Sequence, residues 1–248
     1  MITGGSSGIG AAMGRRLASD GWHCVLLARG ADRLERVAGE VGAEWEACDV
    51  GERPQVVAAA RRVRERHAAV HLLVANAGIA GRQGFLQLPP ERIEELVRTN
   101  YLGSVWALDA FLPLLRAGAP SDFVVVASVA GVFSFGASGP YAAAKHAQLA
   151  FARAAARELA PLGVRVHAVN PGPVETPGFP QRRLLERRLA RRAVLRPERI
   201  ADAIVAAVAH NRPEVYVRGG YRLFGLLEGA FPGALARLSA SRGRRRSS

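Results

Sequence analysis

Short apolar runs, each followed by a segment of helical length, recur along the whole chain, and this alternation restricts the fold more than any other feature. The runs fall at residues 23–28, 44–47, 71–75, 123–127, 165–169 and 215–217. Most of them are apolar at successive positions, as a strand covered on both faces by helices must be. Helical patterns fill 9–19, 31–41, 54–67, 90–115, 138–159 and 197–209. Repeated β–α alternation predicts one α/β domain, a doubly wound parallel sheet between two helical layers with right-handed crossovers. Pro54 and Pro197 suit a first helical turn, and Gly163 suits the position after a helix end. The domain is expected to span 1–239, with 240–248 a disordered basic tail.

The stretch Thr3-Gly4-Gly5-Ser6-Ser7-Gly8-Ile9-Gly10 is a turn that opens directly into a helix. Glycines allow positive φ and let an anion approach the main chain, while the helix N-terminus offers free N–H groups. Placed in the first βα unit, the pattern reads as a dinucleotide site of Rossmann type; alone it would also fit an ordinary loop. Only Met1 and Ile2 precede the turn, where a strand normally takes about five or six residues. Either the natural start lies upstream, or the first strand is truncated and its neighbours are less well supported. The second strand ends Leu27-Ala28-Arg29, without the acidic residue that would bind a ribose 2′-hydroxyl. Arg29 can instead pair with a 2′-phosphate, which favours NADP over NAD. A solvated loop arginine is the plainer account of it, and Asp32 reads as a helix-start acid.

The chain holds one lysine, Lys145, four residues after Tyr141. With four tyrosines present, chance alone puts it there in about 2% of arrangements. Four apart on a helix is one face and one turn. An ammonium beside a phenol favours phenolate, so the pair is a tunable acid in which Tyr141 is expected below its usual pKa of about 10.

In order and spacing these residues resemble the short-chain dehydrogenase/reductase family, from residue 3 to about 217. The resemblance implies a cofactor turn at Thr3, Gly4, Ser6, Ser7, Gly8, Ile9 and Gly10, with Asp49 and its neighbour Val50 at the adenine. Asn76, Ala77 and Gly78 would line the cofactor groove, and Pro171, Gly172 and Thr176 would meet the nicotinamide end. Asn100, Ser128, Tyr141 and Lys145 match the catalytic set. In that set Tyr141 is the general acid and Ser128 binds the substrate oxygen. Lys145 holds the nicotinamide ribose and tunes the tyrosine, and Asn100 holds a water that resupplies protons. A homodimer or homotetramer built on helices 90–115 and 138–159 is implied as well. Without the resemblance, Ser128 could be a strand-end cap, Asn100 a helix hydrogen-bonding side chain and Tyr141 a packed aromatic.

Substrate choice in such an enzyme belongs to the loops at the strands' carboxyl ends. Here these are 131–139, carrying Val132, Phe133 and Phe135, and a lid at 173–196. Their apolar content suggests a hydrophobic ketone, acyl or steroid-like carbonyl/alcohol. Residues 181–196 read as one arginine-dense helix with Leu184, Leu185 and Leu189 along a side. The net charge of +13 leaves three readings for those arginines: a solvated face, a landing surface for an anionic substrate or carrier, or contact with an acidic membrane surface. The apolar segment 221–238 could cover a partner, a pocket or lipid, and its glycines and Pro232 argue against one smooth helix. No recognition module for nucleic acid is present. No apolar run spans a bilayer and no secretory leader opens the chain. Cys24 and Cys48, without a CxxC or a Cys/His cluster, read as core thiols of a cytoplasmic protein with no metal. The Ala-, Arg- and Gly-rich composition suggests a bacterial source. Outside the enzymes, a non-catalytic dinucleotide-binding regulator or membrane-peripheral scaffold remains the alternative.

Overall fold

In the structure, a computed structural model, residues 1–134, 138–186, 188, 190–231 and 233 are described. Seven parallel strands form one sheet in the order β3-β2-β1-β4-β5-β6-β7. They are β1 Ile2–Thr3, β2 Val25–Ala28, β3 Glu44–Ala47, β4 Leu72–Ala75, β5 Ser121–Val126, β6 Val164–Asn170 and β7 Glu214–Tyr216. The helices are α1 Gly8–Ser19, α2 Ala31–Val41, α3 Arg53–Arg66, α4 Pro90–Val97, α5 Gly103–Ala117, α6 Gly139–Leu159, α7 Arg182–Leu185, α8 Pro197–Ala209 and α9 Gly220–Ala230. The chain builds outward from β1 to β3, then crosses back to lay β4 on the other side of β1. That reversal between β1 and β4 opens a crevice at the carboxyl ends of the strands.

β2, β4 and β5 are buried along their whole length, so both faces carry apolar side chains into a core. One face packs Leu73, Phe123 and Val125 under Val56 and Val63 of α3, Phe111 and Leu115 of α5, and Leu149 and Leu159 of α6. The other packs Ile2, Leu26, Val74 and Val124 under Met13 and Leu17 of α1, Leu34 of α2, and Ile200 and Ile204 of α8. Burying a side chain of this kind stabilises the fold by about 1.5–3 kcal/mol each before chain entropy is set against it. Cys24 and Cys48 are free and buried, and burial raises both thiols, Cys48 to about 11.

β1 has only two residues, yet it is central and paired on both sides. The Met1 ammonium continues its line, donating to the Leu72 carbonyl at 2.7 Å. Enclosure lowers that ammonium to about 6.

Two differences from the sequence reading concern the helices. Residues 90–115 are not one uniform helix, because a wider π turn at Arg98–Leu102 separates α4 from α5. Residues 181–196 form no continuous helix. They divide into the single-turn α7 and a 3-10 segment at Ala190–Ala193, and Arg182, Arg188, Arg191, Arg192 and Arg196 are exposed. Seven arginines in so short a span repel one another along a helix, and few buried contacts offset that. Leu189 and Arg187, like Phe135 and the 239–248 tail, lie outside the described residues, as does the Arg183 side chain. No helix among the described residues is long and apolar enough to cross a membrane.

Charge pairs act both inside the sheet and at its β3 edge. Asp122 on β5 receives Arg165 through both nitrogens, at 2.9 and 2.7 Å, and His167 at 2.8 Å. Burial alone would raise its carboxyl, but the bonds from His167 and Arg165 outweigh that and lower it. At β3, burial likewise opposes ionisation of Glu44, yet bonds from His67, His23 and Arg66 bring it down to about 2. His23, Glu44 and His67 thereby come together as a cluster that their sequence spacing does not show. Both carboxyls are depressed on folding, so the stability they contribute is full above about pH 4 and is lost as pH falls through the folded-state values. Thermal melts from pH 6 to pH 2 should therefore show the melting temperature falling below about pH 4. Asp122→Asn should remove about 2 kcal/mol at neutral pH, a low figure because Arg165 reaches solvent, and should flatten part of the acid limb. An acid limb unchanged in this variant would clear Asp122 of the role.

Candidate active site

A groove of about 1180 Å³ occupies the crevice. Its floor at one end is the glycine turn, where Gly4, Ser6, Ser7, Gly8 and Ile9 lead into α1. Gly8 has φ +54°, and a Cβ there would lie 2.9 Å from Thr176 on the opposite wall. Gly10 packs so tightly that a Cβ would meet the Gly4 carbonyl at 2.2 Å. The first turn of α1 has no side-chain cap and no acidic residue. Its N–H groups and positive dipole end are thus left to an anion, and a dinucleotide's pyrophosphate fits that donor set.

The predicted cofactor residues line this groove with two exceptions, Thr3 and Gly10. Thr3 Oγ1 accepts from the backbone N–H groups of Asn76 and Ala77, both at 3.0 Å, and so clamps β1 to the end of β4. Asn76 returns the bond from its side-chain Nδ2 to the Thr3 carbonyl at 2.9 Å. These two positions shape the groove from behind.

Arg29 stands at the far end, 57% exposed, with a loose ion pair to Asp49 at 3.7 Å. Asp49 Oδ1 is held by the Gly51 N–H at 2.9 Å. Arg33 and Arg36, on the first two turns of α2, line the same end. Sequence reasoning passed over them, although their three-residue spacing on a helix that begins at the groove was a usable signal. Asp32 is the lone acid in the first turn of α2 and also borders the groove.

At the other end lie Asn100, Ser128, Tyr141 and Lys145, which the fold brings to one wall. Ser128 lies two residues beyond β5; its hydroxyl caps the following turn by accepting from the Ala130 N–H at 3.1 Å and is hydrogen-bonded to Tyr141. Tyr141 lies in the first turn of α6 and Lys145 in the next, with Nζ 6.0 Å from the tyrosine ring centre. Lys145 donates to the Val126 carbonyl at 3.0 Å and to Gln148 Oε1 at 2.7 Å. Asn100, fully buried in the π turn, binds both ends of the Ile79 peptide unit, accepting at 3.0 Å and donating at 3.1 Å. Its amide braces the loop after β4, a use of π geometry that recurs at functional sites.

The electrostatics depart from expectation. Burial pushes Tyr141 up to about 12, against the lowering effect of Ser128, while burial brings Lys145 down to about 7. The phenol thus lies above its usual value rather than below it, because burial of the hydroxyl is the largest effect on it.

At this end Pro173, Val174, Pro177 and Phe179 line the groove, together with Arg82, Arg92 and Gln181. Phe179, from the lid, tilts over Tyr141 with ring centres 5.6 Å apart. α9 folds across the outside, its Tyr221 ring so near Gly172 that a Cβ there would meet it at 2.8 Å. Tyr221 and Phe224 both pack on Phe133, and Glu228 accepts from the Ser134 N–H at 3.0 and 3.2 Å. α9 thus tolerates Gly225, whose absent Cβ would meet Val132 at 2.9 Å, but it spans only the first part of 221–238. α9 stops just before Pro232, which lies outside the described residues together with Leu235 and Leu238. Leu223, Phe224 and Leu226 remain about 60% exposed.

Comparison with known proteins identifies relatives of the chain and of its fold. The short chain dehydrogenase family matches residues 1–185. The 3-oxoacyl-acyl-carrier-protein reductase MabA of Mycobacterium avium is 31% identical over 176 residues, 71% of this chain and 67% of that protein. The 1-deoxy-11-beta-hydroxypentalenate dehydrogenase of Streptomyces exfoliatus is 34% identical over 185 residues, with 71% and 67% covered. Among solved structures, an alcohol dehydrogenase from the archaeon Thermococcus sibiricus, complexed with 5-hydroxy-NADP, superposes with a TM-score of 0.77 at 31% identity. It covers 89% of this chain and 95% of that one. A short-chain dehydrogenase from Streptomyces avermitilis gives a TM-score of 0.80 at 25% identity, covering 100% and 96%.

Proposed function

This chain belongs to the short-chain dehydrogenase family, and from that premise we propose that it is an NADP-preferring reductase of hydrophobic carbonyl compounds. That it is an oxidoreductase acting on a carbonyl/alcohol pair follows from the family. The observation that carries the finer reading is the joining of two ends by one groove: a Ser128–Tyr141 hydrogen bond at the first, and Arg29, Arg33 and Arg36 at the second. Bound NADPH supplies the hydride.

The remaining work falls to the side chains. Tyr141 donates its proton to the substrate oxygen, and its high pKa keeps it protonated for that step across the physiological range. Ser128 donates to the same oxygen and spreads its developing charge. Lys145 holds the sugar next to the reacting ring and passes a proton toward Tyr141. Ser6, Ser7 and Ile9 hold the phosphates at the α1 N-terminus, and the arginines at the end of β2 and on α2 hold the 2′-phosphate. Asp49 and Val50 would hold the adenine, and Pro171, Gly172 and Thr176 would hold the nicotinamide end. Phe179, with Pro173, Val174 and Pro177 beside it, offers a ketone-bearing acyl chain or ring system an apolar seat. The exposed alanines 143, 150 and 154 on α6 offer a flat face for a homo-oligomer, which light scattering on the purified protein would count.

The test is a panel of aliphatic, acyl-thioester and polycyclic ketones with NADPH absorbance followed. Turnover should concentrate on bulky apolar ketones, and a preference for small polar carbonyls would overturn the substrate class.

A further inference from the structure

The inward face of α6 carries Ala142, Ala144, Leu149, Ala152, Ala155 and Leu159 into the core, and among them sits one fully buried amide, Gln148. Packing alone does not call for it, since leucine or methionine would fill the same space without a polar group to satisfy. Both ends of the amide are used. Oε1 accepts from Lys145 Nζ at 2.7 Å, and Nε2 donates to Ser104 Oγ of α5 at 2.7 Å, a hydroxyl that is itself buried. An ammonium offers only donors, so the amide oxygen must face Lys145 and the amide nitrogen must face Ser104. The chain of three groups thus has a fixed direction.

We propose that Gln148 is a positioning residue of the active site, which with Ser104 anchors the Lys145 ammonium and keeps it charged inside the protein. Burial favours the neutral amine, and a carbonyl dipole at 2.7 Å opposes that because its negative end attracts a positively charged nitrogen more strongly than a neutral one. The groups facing Nζ are few: from its own helix Gln148 and the phenol of Tyr141, and from β5 the Val126 carbonyl. Of these only Tyr141 titrates, so the charge on Lys145 is set largely by uncharged acceptors. Gln148 reaches the reaction through Lys145 and needs no contact with substrate. The proposal rests on the reading of Tyr141 and Lys145 as the acid and its partner.

The single lysine makes the test direct. In protein grown with lysine isotopically labelled at Cε and Nζ, one side-chain resonance reports the titration of residue 145. The midpoint should fall by about one pH unit in Gln148→Leu, which removes the acceptor, and rise by about one unit in Gln148→Glu, which keeps the shape and adds charge. In turnover assays Gln148→Leu should lower kcat about tenfold with little change in KM, and its reductive pH profile should move to lower pH with the midpoint. Midpoints for wild type and both variants agreeing within about 0.3 unit would overturn the proposal, whatever the rates do. If Gln148→Leu does not fold, Gln148→Glu decides by the same criterion. The titration needs no substrate, so an inactive wild type would defeat the proposed reductase while leaving this result to stand or fall by itself.

Discussion

Tyr141→Phe is expected to lower kcat by about a thousandfold or more while NADPH binding stays within about twofold. The change removes one oxygen and keeps the ring, so the packing against Phe179 and the start of α6 persist. What disappears is the proton for the substrate oxygen and the acceptor for Ser128. A water taking that place would be a poorer acid, held in a less defined position. The pH dependence carries the same argument. Burial lowers Lys145 to about 7, so its ammonium is present below that pH and lost above it. Reduction should therefore slow as pH rises through neutrality, long before Tyr141 itself ionises near 12. Wild-type rates in Tyr141→Phe would remove the tyrosine from the chemistry altogether.

The next largest effect is expected at the opposite end of the groove. NADPH should bind more tightly than NADH, and Arg29→Ala with Arg33→Ala should weaken NADPH about tenfold to a hundredfold while leaving NADH nearly unchanged. A guanidinium loosely paired with Asp49 at 3.7 Å loses little on turning to a phosphate. The neighbouring arginines add field without a close acidic competitor other than Asp32. Fluorescence titration with each cofactor measures the gap. A wild-type preference for NADH would overturn the assignment of these arginines.

Much of this architecture could be read from the chain because its signals are local. A strand buried on both faces must be apolar at successive positions, and β2 to β6 appear within a few residues of where the pattern put them. Asn100, Ser128, Tyr141 and Lys145 were legible through their spacing, and all four line the groove. Other features depend on partners distant in sequence. Gln148 resembles any polar residue in a helix until Ser104, 44 positions away, is placed against it. The contacts of α9 with Phe133, Ser134 and Gly172 were likewise invisible, since each partner lies far away in sequence. The lid helix failed: periodic leucines suggested a helix, but too little of it is buried to offset the repulsion of its arginines. The raised phenol of Tyr141 was hidden as well, since the four-residue spacing to Lys145 says nothing about how deeply the fold buries the hydroxyl.

The most direct trial of the account uses NADPH deuterated at the transferable position of its nicotinamide, with a bulky apolar ketone that the wild-type protein reduces. Mass spectrometry of the product should find deuterium on the former carbonyl carbon from wild type and almost none from Tyr141→Phe at equal time. An absence of label from wild type across the ketone panel, or equal label from the two proteins, would contradict it.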